Sequence, residues 1–455
     1  MNRSVETVAE SELMWERWVT EGGRPPPQAV ADREHAAMTA SRGAQQGRRQ
    51  VSRDGPFPRR RRRQSVIIVG GGVAALETLL GLRALGADVH VTLVAPGPQF
   101  VNRSMSSRQP FAVKRVRGLH LERVAADVDA HWHRGSVDRI DRHRRHVVTT
   151  EGVELTYDAL VLAVGARPER AWDCDRVLTY HDGRDASSFR LLLRRLRDGS
   201  ARRVAFVRPP GPTWPVLLYD LAFMTAMDCV THGCSDAQLS IVTPERAPLA
   251  VFGTRVSAEV GRLLEEHGIA LHAGSYAAPG PGGSLRVRPG DRRFEVDRIV
   301  TQPRLAGPRL RGVPCERDGF IHTDAFGRVD GLDGVFAAGD ATSFPVKHGG
   351  LAAQQADAVA EVIAAAAGVE IEPKPFRPML RGVLLAGDTA RFMRADISGG
   401  GGDDSTVSRE PMWAPANKVY GRYLSPYLSR QVGDAADVLQ PYLHQTRVRS
   451  AGVAG

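Results

Sequence analysis

Val66-Ile67-Ile68-Val69-Gly70-Gly71-Gly72-Val73-Ala74-Ala75 constrains the fold of this chain more than any other stretch. Four consecutive apolar residues without polar alternation predict a strand buried on both faces of a parallel sheet. Three glycines end the run. A helical stretch then reaches to about Leu85, Gly86 is its stop signal, and Val89 to Val94 reads as a second strand. Strand, glycine-rich turn, helix, strand is the βαβ unit of a doubly wound fold.

Within the turn, Gly70, Gly72 and Ala75 have the spacing GxGxxA. Gly70 permits the tight turn out of the strand, Gly72 lets a pyrophosphate approach the backbone, and Ala75 lets helix and strand pack closely. The phosphates rest on the helix N-terminus, where unbonded N–H groups and the dipole favour negative charge. An acidic residue for the adenosine ribose is expected at the end of the second strand, but Ala95 and Pro96 stand there. That departure favours a cofactor held at many points, such as FAD, over an exchangeable NAD.

A similar series recurs downstream. Val204 to Val207 and Leu239 to Val242 read as strands, with helical stretches from near Pro215 and over Thr254 to Glu266. Tyr157 to Val164 and Val296 to Thr301 close the two series, each after a β-ladder with a turn. The expected fold is therefore α/β, with two Rossmann-like dinucleotide-binding domains, the second inserted in the first, and a C-terminal α+β region. The expected boundaries are a tail over 1–64, a flavin unit over 65–170 and 315–369, the inserted unit over 171–314, and the C-terminal region over 370–455. The last contains a Gly399 to Gly402 linker and an aromatic-rich end, Trp413 to Tyr427.

Composition sets limits on partners. The 455 residues are 42% hydrophobic, enough for a core, and suggest about three units. No run of about 18 apolar residues exists to cross a membrane. The N-terminus lacks the pattern of a secretory signal, and four cysteines without CxxC argue against a disulfide framework or a thiolate zinc site. A cytoplasmic location is expected. Of the net charge of +10, half lies in residues 1–64, where 13 Arg face 8 acidic residues and Arg59 to Arg63 form a run. Only four basic residues in the chain are Lys. The bias reads as a compositional trait and the segment as a disordered tail, with no nucleic-acid partner expected.

Two further motifs stand in order with the Gly70 turn: Ala163-Val164-Gly165-Ala166-Arg167-Pro168 and Val335-Phe336-Ala337-Ala338-Gly339-Asp340-Ala341. Together the three resemble those of the pyridine nucleotide-disulfide oxidoreductase superfamily, over residues 66 to about 365. The resemblance implies bound FAD, with Gly165 in the short middle motif, Asp340 on the ribityl chain and Gly339 allowing close backbone approach. It also implies that the Ala-rich helix opening near Gly350 and running to about Ala367 aims its N-terminus at the flavin pyrimidine ring. Positive charge there, with Lys347 adding to it, stabilises an anionic reduced flavin.

Departures from the family pattern narrow the activity. The redox CxxxxC of its disulfide reductases is missing, since Val101 to Ser107 contains no cysteine. Cys229 and Cys234 have that spacing but fall at the end of the second unit's first helix, and read as buried or incidental thiols. The second unit's turn, Arg208-Pro209-Pro210-Gly211-Pro212-Thr213-Trp214-Pro215, keeps only Gly211 of GxGxxG, with Trp214 expected in the pyrophosphate space. This degeneration resembles sulfide:quinone oxidoreductases and flavocytochrome-type sulfide dehydrogenases, although Cys174 and Cys315 do not match the flavin-side cysteines of those enzymes. As a whole the chain resembles most nearly the sulfide:quinone oxidoreductase and type II NADH dehydrogenase-like branches.

Two other stretches are weighed and set aside. His131, His133, His143 and His146 lack a carboxylate at metal-ligand spacing, so no metal is expected. In Tyr420 to Leu428, Pro426 is expected to interrupt an amphipathic helix, favouring an aromatic domain contact over a peripheral one at the inner membrane face. The expected function is an FAD-dependent oxidoreductase taking electrons from a small donor to a quinone or other diffusible acceptor. An NAD(P)H:acceptor oxidoreductase and a catalytically silent flavin-binding regulatory module are the alternatives. No catalytic residue is assigned.

Overall fold

The computed structural model describes residues 62–111, 118–397 and 405–432. Nearly all of the expected N-terminal tail, and the Gly399 to Gly402 linker, lie outside these residues. The first unit runs β1 (Gln64–Val69), α1 (Val73–Ala84), β2 (Val89–Ala95), α2 (Leu121–Asp127), β3 (His131–Arg134) and β4 (Ala159–Leu162). The second runs β5 (Val177–Thr179), α3 (Ala186–Arg197), β6 (Arg203–Val207), α4 (Val216–Thr231), β7 (Gln238–Val242), α5 (Thr254–Glu266), β8 (Ile269–His272) and β9 (Arg298–Thr301). The chain then returns through β10 (Val335–Ala337) and α6 (Gly349–Ala366). It ends in β11 (Met379–Ala386), β12 (Thr389–Asp396), β13 (Ser405–Ser408) and α7 (Leu424–Val432).

The two large sheets are copies of one design. Their strand orders are β10-β4-β1-β2-β3 and β5-β9-β6-β7-β8, and every pairing in both is parallel. In each, an antiparallel three-stranded ladder, over 137–156 and 276–295, precedes the strand that pairs with the central one. Because β10 pairs with β4 after the whole second sheet has been built, the second unit is an insertion in the first.

β1 shows why its sequence does not alternate. Val66 and Ile68 pack in one apolar cluster with α1 and α6, while Ile67 and Val69 pack on the opposite face with the ladder. Val66 lies opposite Val91 on one side and Ala159 on the other. Burying each such side chain contributes about 1.5–3 kcal/mol, so both faces hold the strand. On the first face, Leu76 and Leu79 of α1 share a cluster with Val359 and Ile363 of α6. Gly81 permits the close approach, since a Cβ there would lie 3.2 Å from that of Ala360.

The C-terminal region ties the units together. β11, β12 and β13 form an antiparallel sheet against α4, and α7 docks on the first unit through Leu424 and Tyr427. Tyr427 donates its hydroxyl to Asp127 Oδ2 at 2.6 Å. Pro426 does not interrupt this helix, contrary to expectation. It is the third residue of α7, where an N–H has no intrahelical partner to lose. Among the described residues, no helix is long and apolar enough to cross a membrane.

Candidate functional site

The carboxyl ends of β1, β4 and β10 open into one cavity of about 880 Å³, and Gly70, Gly72, Gly165, Gly339, Asp340 and Lys347 all line it. Gly70 has φ +132°, its N–H donates to Val94 O at 2.8 Å, and a Cβ there would stand 2.1 Å from Ala163 O. Only glycine fits. Gly72 differs: it caps α1 with no side-chain bond, and a Cβ on it would meet nothing within 4 Å. The first turn of α1 has no acidic residue, so its positive end faces the cavity uncompensated. An open cradle at an uncapped helix N-terminus fits the pyrophosphate of FAD. Ala75 lies behind this wall, fully buried between α1 and its neighbours.

Around β10, Gly339 has φ +80°, and a Cβ there would stand 3.1 Å from that of Ala74. Its N–H donates to Gln355 Oε1 of α6 at 2.7 Å, and Gln355 Nε2 donates to Thr342 Oγ1 at 3.3 Å, so α6 fixes the turn. Asp340 follows, half-buried at the cavity. Burial raises its carboxyl, against the pull of Lys347 and Arg103. Lys347 is buried, donates to Thr342 O, and stands 3.7 Å over the Phe320 ring, a cation–π contact. Burial lowers its ammonium to about 8, opposed by Asp340, Asp318 and Glu316. At neutral pH it is mainly a cation held among acids.

The start of α6 is shifted by one residue from the expected position. His348 is the N-cap, and its Nδ1 accepts the Gly350 N–H at 3.2 Å. Gly350 therefore lies behind the wall with its N–H engaged, and Gly349 lines the cavity instead. Burial pushes the His348 imidazole down to about 3, so the ring is neutral and able to accept. Trp214 stacks on it, with ring centroids 4.0 Å apart and planes 30° apart. Gln302 Nε2 donates to Trp214 O at 2.8 Å. Trp214, expected in the second unit's pyrophosphate space, forms part of the shared cavity wall.

At the second crevice two charged residues are buried. Arg208, at the end of β6, is buried and donates Nε to Thr213 Oγ1 at 3.2 Å. Glu245, beyond β7, is buried too and accepts from Thr243 Oγ1 at 3.0 Å. Burial raises its carboxyl, and the charge of Arg208 is the main opposing influence. Where the first unit presents an open glycine cradle, the second presents two buried charged side chains, each hydrogen-bonded to a threonine.

Past Trp214 the cavity continues between Val216, Leu217, Val383 and Val419 to Asp220 and Lys418. These two form a buried ion pair. Asp220 Oδ1 accepts the Leu385 N–H at 2.8 Å, and Lys418 Nζ also donates to Ser107 Oγ at 3.3 Å. Burial raises the carboxyl and lowers the ammonium. Sequence reasoning missed both. The available signal was Asp220 itself, the one charged residue in the apolar run from Val216 to Met227. Cys174 and Cys315 line no part of the cavity. Among the described residues, no group of three or more His, Cys, Asp or Glu is placed to hold a metal ion.

A family model described as pyridine nucleotide-disulphide oxidoreductase matches residues 64–207 and 222–365, more than half of the chain. The ferredoxin reductase component of a chlorobenzene dioxygenase from Cupriavidus sp. (strain PS12) is 27% identical over 300 residues, covering 61% of this chain and 67% of that protein. Among solved structures, the sulfide:quinone oxidoreductase of the hyperthermophilic bacterium Aquifex aeolicus aligns with a TM-score of 0.69 at 18% identity, over 76% of this chain and 86% of the other. NDH2 from Plasmodium falciparum, in complex with NADH, aligns with a TM-score of 0.51 at 16% identity, over 62% and 65%. At these identities the structural likeness shows the fold.

Proposed function

Because this chain belongs to the pyridine nucleotide-disulphide oxidoreductase family and is an FAD-dependent oxidoreductase, we propose that it passes electrons from a small donor through FAD to a quinone or another diffusible acceptor. The observation that carries this reading is the two-lobed cavity. One lobe is the glycine cradle with Asp340, and the other is an apolar lobe ending at the Asp220–Lys418 pair. Bound FAD supplies reversible electron-pair transfer. Gly70, Gly72 and the start of α1 take the pyrophosphate, Asp340 takes the ribityl hydroxyls, and Gly165 keeps the backbone clear. Gly349 and Lys347 present positive charge at the far end of the cofactor. The flavin unit comprises 65–170 and 315–369, and the region from 370 supplies the outer lobe.

In that lobe, apolar walls exclude water from a planar acceptor. Lys418 Nζ is the group placed to donate a hydrogen bond, and then a proton, to an acceptor carbonyl, and Asp220 holds Lys418 in place. The turn that keeps only Gly211, with Arg208 and Glu245 buried beside it, supports a donor other than NAD(P)H. The likeness to a ferredoxin reductase component favours a second reading, an NAD(P)H:acceptor oxidoreductase, which requires a nicotinamide to reach the flavin past Trp214. An anaerobic screen of the purified yellow protein separates these readings. Bleaching of the flavin by sulfide or another small donor, with recovery on adding a quinone, is the expected result. Rapid bleaching by NADH or NADPH favours the second reading. Flavin that responds to no donor or acceptor identifies a silent binding module.

A further inference from the structure

Cys229, in the last turn of α4, and Cys234, just beyond the helix, line no part of the flavin cavity. Cys229 is buried, the helix closes at Thr231, and Gly233, at φ +67°, reverses the chain. The Cys234 N–H donates to Cys229 O at 2.9 Å and the Gly233 N–H to Val230 O at 3.3 Å. This pair of bonds is the Schellman closure, and the two positions whose side chains it brings together are those of Cys229 and Cys234. Apolar residues ordinarily meet there. Here two free thiols stand at those positions, and Cys234 packs against the apolar cluster that holds Cys229.

The two sulfurs are not equivalent. Cys229 is covered, and burial together with its neighbour pushes its thiol up to about 12. Cys234 is partly exposed, and the Arg197 guanidinium, ion-paired to Asp228 at 2.5 Å, acts on both sulfurs. The partly exposed Cys234 sulfur is therefore the one a small oxidant reaches, and Cys229 lies behind it as the second thiol. The Schellman closure brings these two side chains together across one turn, as a disulfide requires.

We propose that Cys229 and Cys234 form a dithiol that a hydroperoxide oxidises reversibly to a disulfide. The Cys234 sulfur attacks the peroxide and the O–O bond breaks, leaving Cys234 as a sulfenic acid and releasing water from hydrogen peroxide. The Cys229 sulfur then attacks that of Cys234. The S–S bond forms, the S–O bond breaks, and the hydroxide leaves as a second water with the proton of Cys229. Two electrons pass from the thiols to the peroxide, and a small dithiol reductant restores them. Asp220 lies about 14 Å back along the helix from Cys229. The reaction is thus separate from the flavin lobe and does not depend on the function proposed above.

Peptide mapping of the FAD-loaded full chain tests this. The protein is treated with graded hydrogen peroxide, then denatured and alkylated without reduction. The expected result is a peptide carrying both cysteines that has lost two hydrogens and both alkyl labels, restored by dithiothreitol, with flavin absorbance unchanged. In Cys229→Ser, the reaction is expected to stop at a Cys234 sulfenic acid trapped by dimedone. If that variant does not fold, the wild-type map alone decides. The proposal is overturned if Cys229 and Cys234 both stay alkylable while exposed Cys315 is oxidised, or if Cys234 proceeds to sulfinic acid with Cys229 still a thiol.

Discussion

Lys418 Nζ is bonded to an Asp220 carboxylate oxygen inside the cavity wall, across 198 positions of sequence. The bond ties the C-terminal region to α4 of the inserted unit. Both groups lie out of water, so removing one strands the other, at a cost of about 3–5 kcal/mol, whereas removing both costs far less. Lys418→Met and Asp220→Leu should each lower the denaturation midpoint strongly, and the double variant should recover much of the loss. Denaturant melts of the four proteins measure the coupling. Simple additivity of the two losses would show that the pair does not act as one unit.

Gly70 and Gly72 lie two residues apart and predict opposite outcomes. At Gly70 a methyl group collides with Ala163 O at 2.1 Å in a positive-φ conformation, so Gly70→Ala should destabilise the first unit itself, by about 3 kcal/mol or more. At Gly72 the added side chain points into open space, so Gly72→Val should keep the wild-type circular dichroism and melting temperature without cofactor, yet lose the yellow colour. A Gly72→Val protein that retains stoichiometric flavin removes the cradle from the site.

Glu77 and Asp357 make a pH-dependent contact under the C-terminal helix. Glu77 accepts the N–H groups of Tyr423 and Leu424 at 2.7 and 2.8 Å. Asp357 of α6 stands beside Glu77, with Glu361 and Arg422 nearby. Burial and the charge of Glu77 push the Asp357 carboxyl up to about 9. An unfolded Asp ionises near 3.9, so between about pH 4 and 9 the unfolded chain has lost a proton that the native one keeps. From this group, stability falls as pH rises through that window, by at most about 1.4 kcal/mol per unit. Asp357→Asn should flatten the slope, as read from unfolding free energies at pH 5, 7 and 9.

How much of this was legible in the chain depended on whether the signal was local. The β1–Gly70–α1 turn, the Gly339–Asp340 motif and the repeated order of strands were readable, because strand burial and turn geometry act over a few residues. Positions that meet only through the fold were not. Glu77 sits in the apolar Val73–Ala84 helix and Asp220 in the apolar start of α4, and each reads alone as an anomaly. Their partners, the Tyr423 and Leu424 amides and Lys418, stand 346, 347 and 198 positions away. Trp214 was recognised as an obstruction, but its stacking on His348 depends on how the inserted unit closes onto the first. The start of α6 was legible only to within a residue, because a histidine N-cap, unlike Ser or Asp, is a weak sequence signal.

His348 supplies a pH dependence of the opposite sign. Its imidazole caps α6 only while Nδ1 is unprotonated, and burial under Trp214 holds it neutral down to about pH 3. The unfolded chain takes a proton near pH 6.5, so between about 6.5 and 3 it binds a proton that the native state refuses. Stability from this group is complete above 6.5 and is lost as pH falls towards 3. His348→Asn keeps an acceptor for the Gly350 N–H while removing the titration, and His348→Ala removes both. At pH 7 the alanine variant should be less stable than the asparagine variant by about 1 kcal/mol, the ordinary worth of a cap. At pH 5 both should have gained on the wild type relative to pH 7, since neither refuses a proton there. Because Asp357 favours low pH where the two windows overlap, between about pH 4 and 6.5, the wild-type profile there sums two opposed slopes. His348→Asn and Asp357→Asn, melted across pH 4–9, should bend it in opposite directions, and a shared direction would show that one of the two groups is not buried in the state assigned to it.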